Sequence, residues 1–95
     1  MCDLIRLLEQ CQADTHEVLG PGAAGRLAYW QQYANDRERL ISFIRERIRR
    51  KGQNKAKLHR RGKLSLEQIV IQCGPEVFDE SDIELAKATL SVRGA

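Results

Sequence analysis

Apolar residues recur at helical spacing through most of this chain, and glycine and proline interrupt the pattern at a few places. Before Gly20, leucine, cysteine and valine residues lie three, four and seven positions apart, as they do on one face of a helix. The run Gly20-Pro21-Gly22 ends that helix, because proline lacks an amide hydrogen and glycine favours turns. The 95 residues suit one domain. These features predict an all-α fold, a small helical bundle.

The first half of the chain is predicted to form a long helical hairpin. Its first helix covers residues 3–18 with Asp3 as the N-cap, and its second covers residues 23–51. The second helix carries a nearly heptad apolar seam, which is typical of a helical hairpin or short coiled coil. One alternative stays open, because Asn35-Asp36 followed by Glu38 could cap a new helix and split the second one.

Two short helices are predicted in the second half, after a basic loop or arm at residues 52–63. Ser65 and Gln68 form a capping box and Gly74-Pro75 is a stop signal, so one helix is expected at 66–73. The β-branched residues 69–71 leave a strand as the alternative there. Asp79 is expected to cap the last helix, at 80–92, and Gly94 to end it.

A homodimer is expected from the lengths of the two hairpin helices. At about 1.5 Å per residue, the seam from Leu27 to Ile48 is about 30 Å long, whereas the first helix covers about 24 Å. The last two helices could fold back over the remainder, or a second copy of the long helix could pair with it through Ile44. Small cores gain much from association, which favours the dimer.

Positive charge is concentrated in the middle of the chain. Ten of the sixteen Lys and Arg residues lie between Arg45 and Lys63, where Glu46 is the one acid, so these residues carry +9 in a chain of net charge +3. The two ends are acidic. A cationic segment of this density attracts polyanions, which favours nucleic acid as the partner.

The predicted site consists of arginines and lysines that contact phosphate. On the second predicted helix, Arg39, Phe43, Arg47 and Arg50 fall on the side away from the apolar seam, over about 16 Å. Arginine suits phosphate because its planar fork makes paired hydrogen bonds. The predicted nucleic-acid-binding residues are Arg39, Arg45, Arg47, Arg49, Arg50 and Lys51 on the helix, and Lys55, Lys57, Arg60, Arg61 and Lys63 in the arm.

Recognition of phosphate backbone and shape is expected, with RNA, including double-stranded RNA, slightly preferred over DNA. Side chains suited to reading base edges do not cluster with the arginines, and the last predicted helix is too acidic to read a groove. The alternative function is a protein-interaction module, a regulatory adaptor or inhibitor that binds through an apolar surface around Trp30, Tyr33 and Phe43.

Catalytic, cofactor and metal sites are not predicted. No nucleophile, base and acid stand in a recognisable constellation, so an enzyme is not expected. Residues 20–25 match the letters of a GxGxxG nucleotide loop but follow a helix instead of a strand. Cys11, His16, His59 and Cys73 lack the close pairing of zinc ligands.

An intracellular protein with no membrane partner is expected. No apolar run approaches the 18 or so residues of a membrane span, and the N-terminus has no secretory pattern. Three unclustered cysteines favour reduced thiols over a disulfide framework, which suits the cytoplasm or nucleus.

Overall fold

The computed structural model describes residues 2–50 and 57–94, and this part of the chain is helical, as the apolar spacing predicts. The elements in chain order are α1 (Leu4–Leu19), α2 (Pro21–Leu27), a 3₁₀ turn η1 (Ala28–Tyr33), α3 (Arg37–Arg49), α4 (Lys57–Arg60), α5 (Leu66–Cys73), a 3₁₀ turn η2 (Gly74–Glu76) and α6 (Glu80–Gly94).

Helix α1 confirms the predicted first helix and its cap. The Asp3 side chain accepts a hydrogen bond from the Arg6 amide, 3.2 Å away, and so satisfies one of the unpaired amides of the first turn. Leu4, Leu8 and Cys11 are buried along one face. The helix ends at Gly20, whose φ of 94° favours glycine.

The prediction of one long second helix is wrong, and the alternative, a new helix capped at residues 35–36, is confirmed. Helix α2 ends at Leu27, η1 follows, and α3 begins after Asp36, whose side chain accepts a hydrogen bond from the Arg39 amide at 3.2 Å. Trp30 in η1 is buried and donates its indole hydrogen to Gln12 Oε1 of α1 at 2.8 Å. A straight hairpin helix is therefore replaced by a short helix, a tight turn and a second helix.

The apolar face of α3 is covered within one chain. Ile44 is fully buried, and Leu40 and Ile48 lie beside it. The opposite wall of this core consists of Ile69 and Val70 from α5, Phe78 from the link before α6, and Ile83 and Ala86 from α6. The fold-back alternative therefore accounts for the covering of the seam. The homodimer stays a prediction. Because Ile44 is already covered within one chain, the uncovered seam that was the reason for expecting a dimer is absent at this residue.

Part of the predicted basic loop is a helical turn. Residues 51–56 lie outside the described part of the chain, but Lys57–Arg60 form α4. Leu58 in this turn is buried, and the burial of its side chain stabilises the helical turn. The segment is held further by the Leu64 amide, which donates to Asp14 Oδ2 of α1 at 2.8 Å.

Helix α5 confirms its predicted cap and stop, and it excludes the strand alternative. Ser65 Oγ accepts from the Gln68 amide at 3.1 Å, and Gly74 ends the helix with a φ of 73°. Helix α6 begins at Glu80. Its first turn differs in detail from the prediction, because the Asp79 amide donates to Asp82 Oδ2 at 3.3 Å while the Asp79 carboxylate binds Arg45.

Two of the three cysteines are joined, so the expectation of reduced thiols is wrong for this pair. Cys2 and Cys73 form a disulfide with Cα atoms 5.4 Å apart, within the usual range for such a bridge. Sequence spacing did not indicate the pair, because 71 positions separate the two residues. Cys11 is free and buried. None of the helices in the two described ranges combines the length and hydrophobicity that crossing a membrane requires.

Candidate nucleic-acid interface

Helix α3 divides its cations between two sides. Leu40, Ile44 and Ile48 mark the buried face. At about 100° per residue, Arg45 and Arg49 project on one side of this face, and Arg39, Arg47 and Arg50 project on the other. The core thus lies between two groups of arginines, and the two groups have different neighbours. We call the Arg45 and Arg49 side the closed flank.

The closed flank is paired with acids at the start of α6. Arg45 Nε lies 2.7 Å from Asp82 Oδ2, and Arg49 Nη1 binds the other oxygen, Asp82 Oδ1. Arg45 Nη2 also contacts Asp79 Oδ2 at 3.1 Å. The Asp82 side chain is completely buried, whereas the two arginines keep 39% and 42% of their side-chain surface exposed.

This ion-pair cluster gives Arg45 and Arg49 a structural task. A buried carboxylate is costly unless opposite charge and hydrogen-bond donors compensate it. The two guanidinium groups supply the charge, and the Asp79 amide donates a hydrogen bond to Asp82 Oδ2. The sequence prediction that both residues contact phosphate stays untested. Their guanidinium groups, however, would have to satisfy phosphate and Asp82 together.

On the opposite side of α3, Arg39 and Arg50 form ion pairs at the surface. Arg39 Nε lies 3.4 Å from Asp36, three residues before it, and Arg50 Nη2 lies 2.8 Å from Glu46 in the preceding turn. The Arg39 and Arg50 side chains are 71% and 59% exposed. Exposed pairs of this kind contribute little free energy, so either carboxylate can be exchanged for another anion at small cost.

Arg47 occupies the middle of this side and is held in place. Its Nη2 donates to the Arg26 carbonyl oxygen at 2.7 Å, and its guanidinium lies 5.0 Å from the centre of the Phe43 ring. Phe43 in turn packs against Tyr33, with ring centres 6.2 Å apart. Partial burial, with the charges of Arg50 and Arg26, lowers the pKa of Arg47.

Arg26, which is exposed and whose charge helps to lower the pKa of Arg47, adds a cation to this surface that the sequence did not indicate. It lies on α2, 21 positions before Arg47, and only the turn through η1 brings the two together. We call Arg26, Arg39, Arg47 and Arg50 the open flank. Its four arginines face two carboxylates, Asp36 and Glu46, so it keeps a net charge of +2.

Four of the predicted arm cations lie in the described residues, on α4 and just after it. Arg60 and Arg61 are exposed, and neither forms an ion pair with another residue in the described ranges. Lys57 is half-buried. Lys63 Nζ lies 2.7 Å from Glu17 of α1, and this hydrogen bond raises the pKa of the lysine. Lys51 and Lys55 lie outside the described residues.

The other sequence patterns do not form ligand sites. Gly20 separates α1 from α2, so the GxGxxG letters mark a turn between helices. In the part of the chain that the structure describes, no three His, Cys, Asp or Glu side chains are grouped as metal ligands. Neither cysteine of the candidate zinc ligands is a free surface thiol, because Cys73 is bonded to Cys2 and Cys11 is buried.

The chain was compared with known proteins at the level of family, sequence and structure. No family model, curated protein or solved structure matches it.

Proposed function

We propose that this protein binds the phosphate backbone of nucleic acid through the open flank, without strong sequence preference. The observation that supports this most directly is the unequal pairing on the two sides of α3. Buried Asp82 pairs with the cations of the closed flank, whereas exposed Asp36 and Glu46 pair with Arg39 and Arg50, at the two ends of the open flank. Exposed ion pairs contribute little free energy, so a backbone phosphate, which like a carboxylate carries one negative charge and two terminal oxygens, can take the place of either carboxylate.

The dimensions of the open flank suit a phosphate chain. Arg39 and Arg50 are eleven positions apart in sequence, which corresponds to about 16 Å along a helix. Arg47 lies between them and is fixed by Phe43 and the Arg26 carbonyl, so little side-chain entropy is lost when it binds. Three or four guanidinium groups can therefore contact successive phosphates. Arg60 and Arg61 on the arm are the next contacts we propose.

The aromatic residue in this surface supports backbone binding over base stacking. Phe43 is half-buried, and its ring contacts the Arg47 guanidinium and the Tyr33 ring. A base would have to displace Arg47 to stack on that face. Double-stranded nucleic acid, which presents its phosphates and hides its base faces, fits this arrangement better than a single strand, and we keep the slight preference for RNA.

The alternative proposal, an apolar surface that docks a partner protein, is not supported by the surroundings of its three aromatic residues. Trp30 is buried in the core, and Tyr33 and Phe43 pack on each other beside Arg47. The aromatic residues that the rival proposal needs are thus engaged within the chain.

The test is binding to double-stranded RNA, double-stranded DNA and single-stranded RNA of equal length over a range of salt concentrations. The four arginines of the open flank contribute about −4 to the slope of log K against log salt on duplexes, at roughly −0.9 per contact, and contacts of Arg60 and Arg61 would make the slope steeper. The double variant Arg39→Gln/Arg50→Gln should reduce the open-flank contribution to about −2. Affinity should fall by a similar factor for every duplex sequence, because the lost contacts are to backbone.

A matched control removes the same charge elsewhere. Arg6 and Lys87 are exposed on α1 and α6, so Arg6→Gln/Lys87→Gln lowers the net charge equally without touching the open flank. This control should keep the wild-type slope. Equal losses in the two double variants would mean that only net charge matters, and a slope near zero in the wild type would exclude phosphate binding altogether.

A further inference from the structure

The disulfide opens onto the surface, and its chemistry is independent of the proposed function. We propose that Cys2–Cys73 is an exchange site for low-molecular-mass thiols such as glutathione, and that the incoming thiolate attacks Cys73 and releases Cys2. The product would be a mixed disulfide on Cys73. The protein would then carry a reversible modification at the junction of α1 and α5.

Both cysteines of the bridge are partly exposed. Cys2 and Cys73 are both half-buried, and both line a surface pocket between the start of α1 and the end of α5. Three charged residues, Asp3, Arg6 and Glu76, also line this pocket. A structural disulfide is usually closed off by the core, whereas exposed bridges are the exchangeable ones. A small thiol can reach this bridge without unfolding of the chain.

The two sulfur atoms differ in their electrostatic surroundings. Cys2 directly precedes the N-cap of α1, where unpaired backbone amides favour negative charge, and Arg6 adds a cation. Cys73 is the last residue of α5, where backbone carbonyls disfavour negative charge, and Glu76 follows. Asp3 lies beside Cys2, but its carboxylate already accepts a hydrogen bond from the Arg6 amide. Cys2 is therefore the better leaving thiolate.

The step balances as an ordinary thiol–disulfide exchange. The thiolate of glutathione forms a new sulfur–sulfur bond to Cys73 Sγ, and the Cys2–Cys73 bond breaks with its electron pair moving to Cys2 Sγ. Cys2 leaves as a thiolate and takes a proton from water. A second glutathione thiolate then attacks the mixed disulfide, which yields oxidised glutathione and the two protein thiols.

Cys11 provides an internal control. It is buried, and that burial raises the pKa of its thiol to about 12, so it has almost no thiolate at neutral pH. Its sulfur contacts the Thr15 hydroxyl, one turn later on the buried face of α1. The third thiol should therefore stay unreactive in the folded protein and become reactive only after denaturation.

The experiment maps each cysteine separately, because trypsin places them in three peptides. Residues 1–6 contain Cys2, residues 7–26 contain Cys11 and residues 64–87 contain Cys73. The full chain is oxidised with oxidised glutathione, exposed to limiting reduced glutathione, and then blocked with N-ethylmaleimide before digestion and mass spectrometry. We expect glutathione on peptide 64–87 in about tenfold excess over peptide 1–6, with N-ethylmaleimide on Cys2. Cys11 should be unmodified unless guanidinium is added.

Three results would overturn the proposal. Glutathione mainly on Cys2 would reverse the assignment of the leaving group. Exchange that occurs only in guanidinium would show that the bridge is closed to solvent in the folded protein. A chain in which Cys2 and Cys73 stay as thiols after treatment with oxidised glutathione would lack the bridge altogether. Circular dichroism of the oxidised sample establishes that the helical fold is intact in each case.

Discussion

Replacing Asp82 by Asn removes the charge from the buried centre of the closed flank. The carboxylate binds Arg45 at 2.7 Å and also Arg49, and it is completely buried. A hydrogen bond to a charged group contributes about 1.5–3 kcal/mol, and breaking a fully buried pair costs about 3–5 kcal/mol. Both arginines are partly exposed and can regain water, so the lower part of these ranges applies. We expect a loss of about 2–3 kcal/mol of unfolding free energy.

Asp79→Asn is the matched control for this change. Asp79 pairs with the same Arg45 at 3.1 Å, but its side chain is 69% exposed. The two variants change net charge equally, and exposed pairs contribute about 0–1 kcal/mol. In thermal unfolding followed by circular dichroism, Asp82→Asn should lower Tm by about 10–20 °C and Asp79→Asn by at most about 8 °C. Equal, small shifts in the two variants would refute the argument that burial of Asp82 gives the cluster its strength.

Three further predictions concern the core and the cap. Folding raises the pKa of the Cys11 thiol from 9.0 to about 12, so as pH rises the unfolded chain loses this proton before the folded chain does. The free energy of unfolding, measured with urea, should therefore fall as pH rises between these two values. The fall should be up to about 1.4 kcal/mol per pH unit steeper than in Cys11→Ser. A common slope for both would contradict this. Ser65→Ala removes a buried N-cap and should cost about 1–2 kcal/mol in the same assay, and no loss would argue against the cap. Ile44→Ala should cost about 2–5 kcal/mol and Ile5→Ala, on the surface, about 0.5 kcal/mol or less; similar costs would disprove the burial of Ile44.

Local signals in the sequence predicted the helices well where the cause of the structure is itself local. Ser65 and Gly74 act on residues within four positions, and they set the ends of α5 as expected. Asp36 likewise marked the start of α3. The continuous second helix failed because helical spacing through residues 28–36 does not exclude a turn, and the decisive contact of Trp30 is with Gln12 of another helix.

The site was predicted less well, because its electrostatics depend on distant pairs. Charge counting treated Arg45 and Arg49 like their neighbours, although Asp82, more than thirty positions later, binds both. Arg26 was overlooked for the same reason, since it reaches Arg47 only when α2 and α3 pack. A cationic segment in a sequence therefore gives the sign of a surface, whereas the fold decides which of its charges remain available.

The bridge between Cys2 and Cys73 also changes the chain when it is unfolded. With 71 positions between the two residues, the oxidised polypeptide is a ring that contains α1 to α5, and α6 is a tail outside it. Closing a ring of this size removes enough chain entropy to favour folding by about 4 kcal/mol. That exceeds the expected effect of Asp82→Asn. Oxidised and reduced samples of one sequence are thus expected to unfold as two different polymers, one a ring with a tail and one linear.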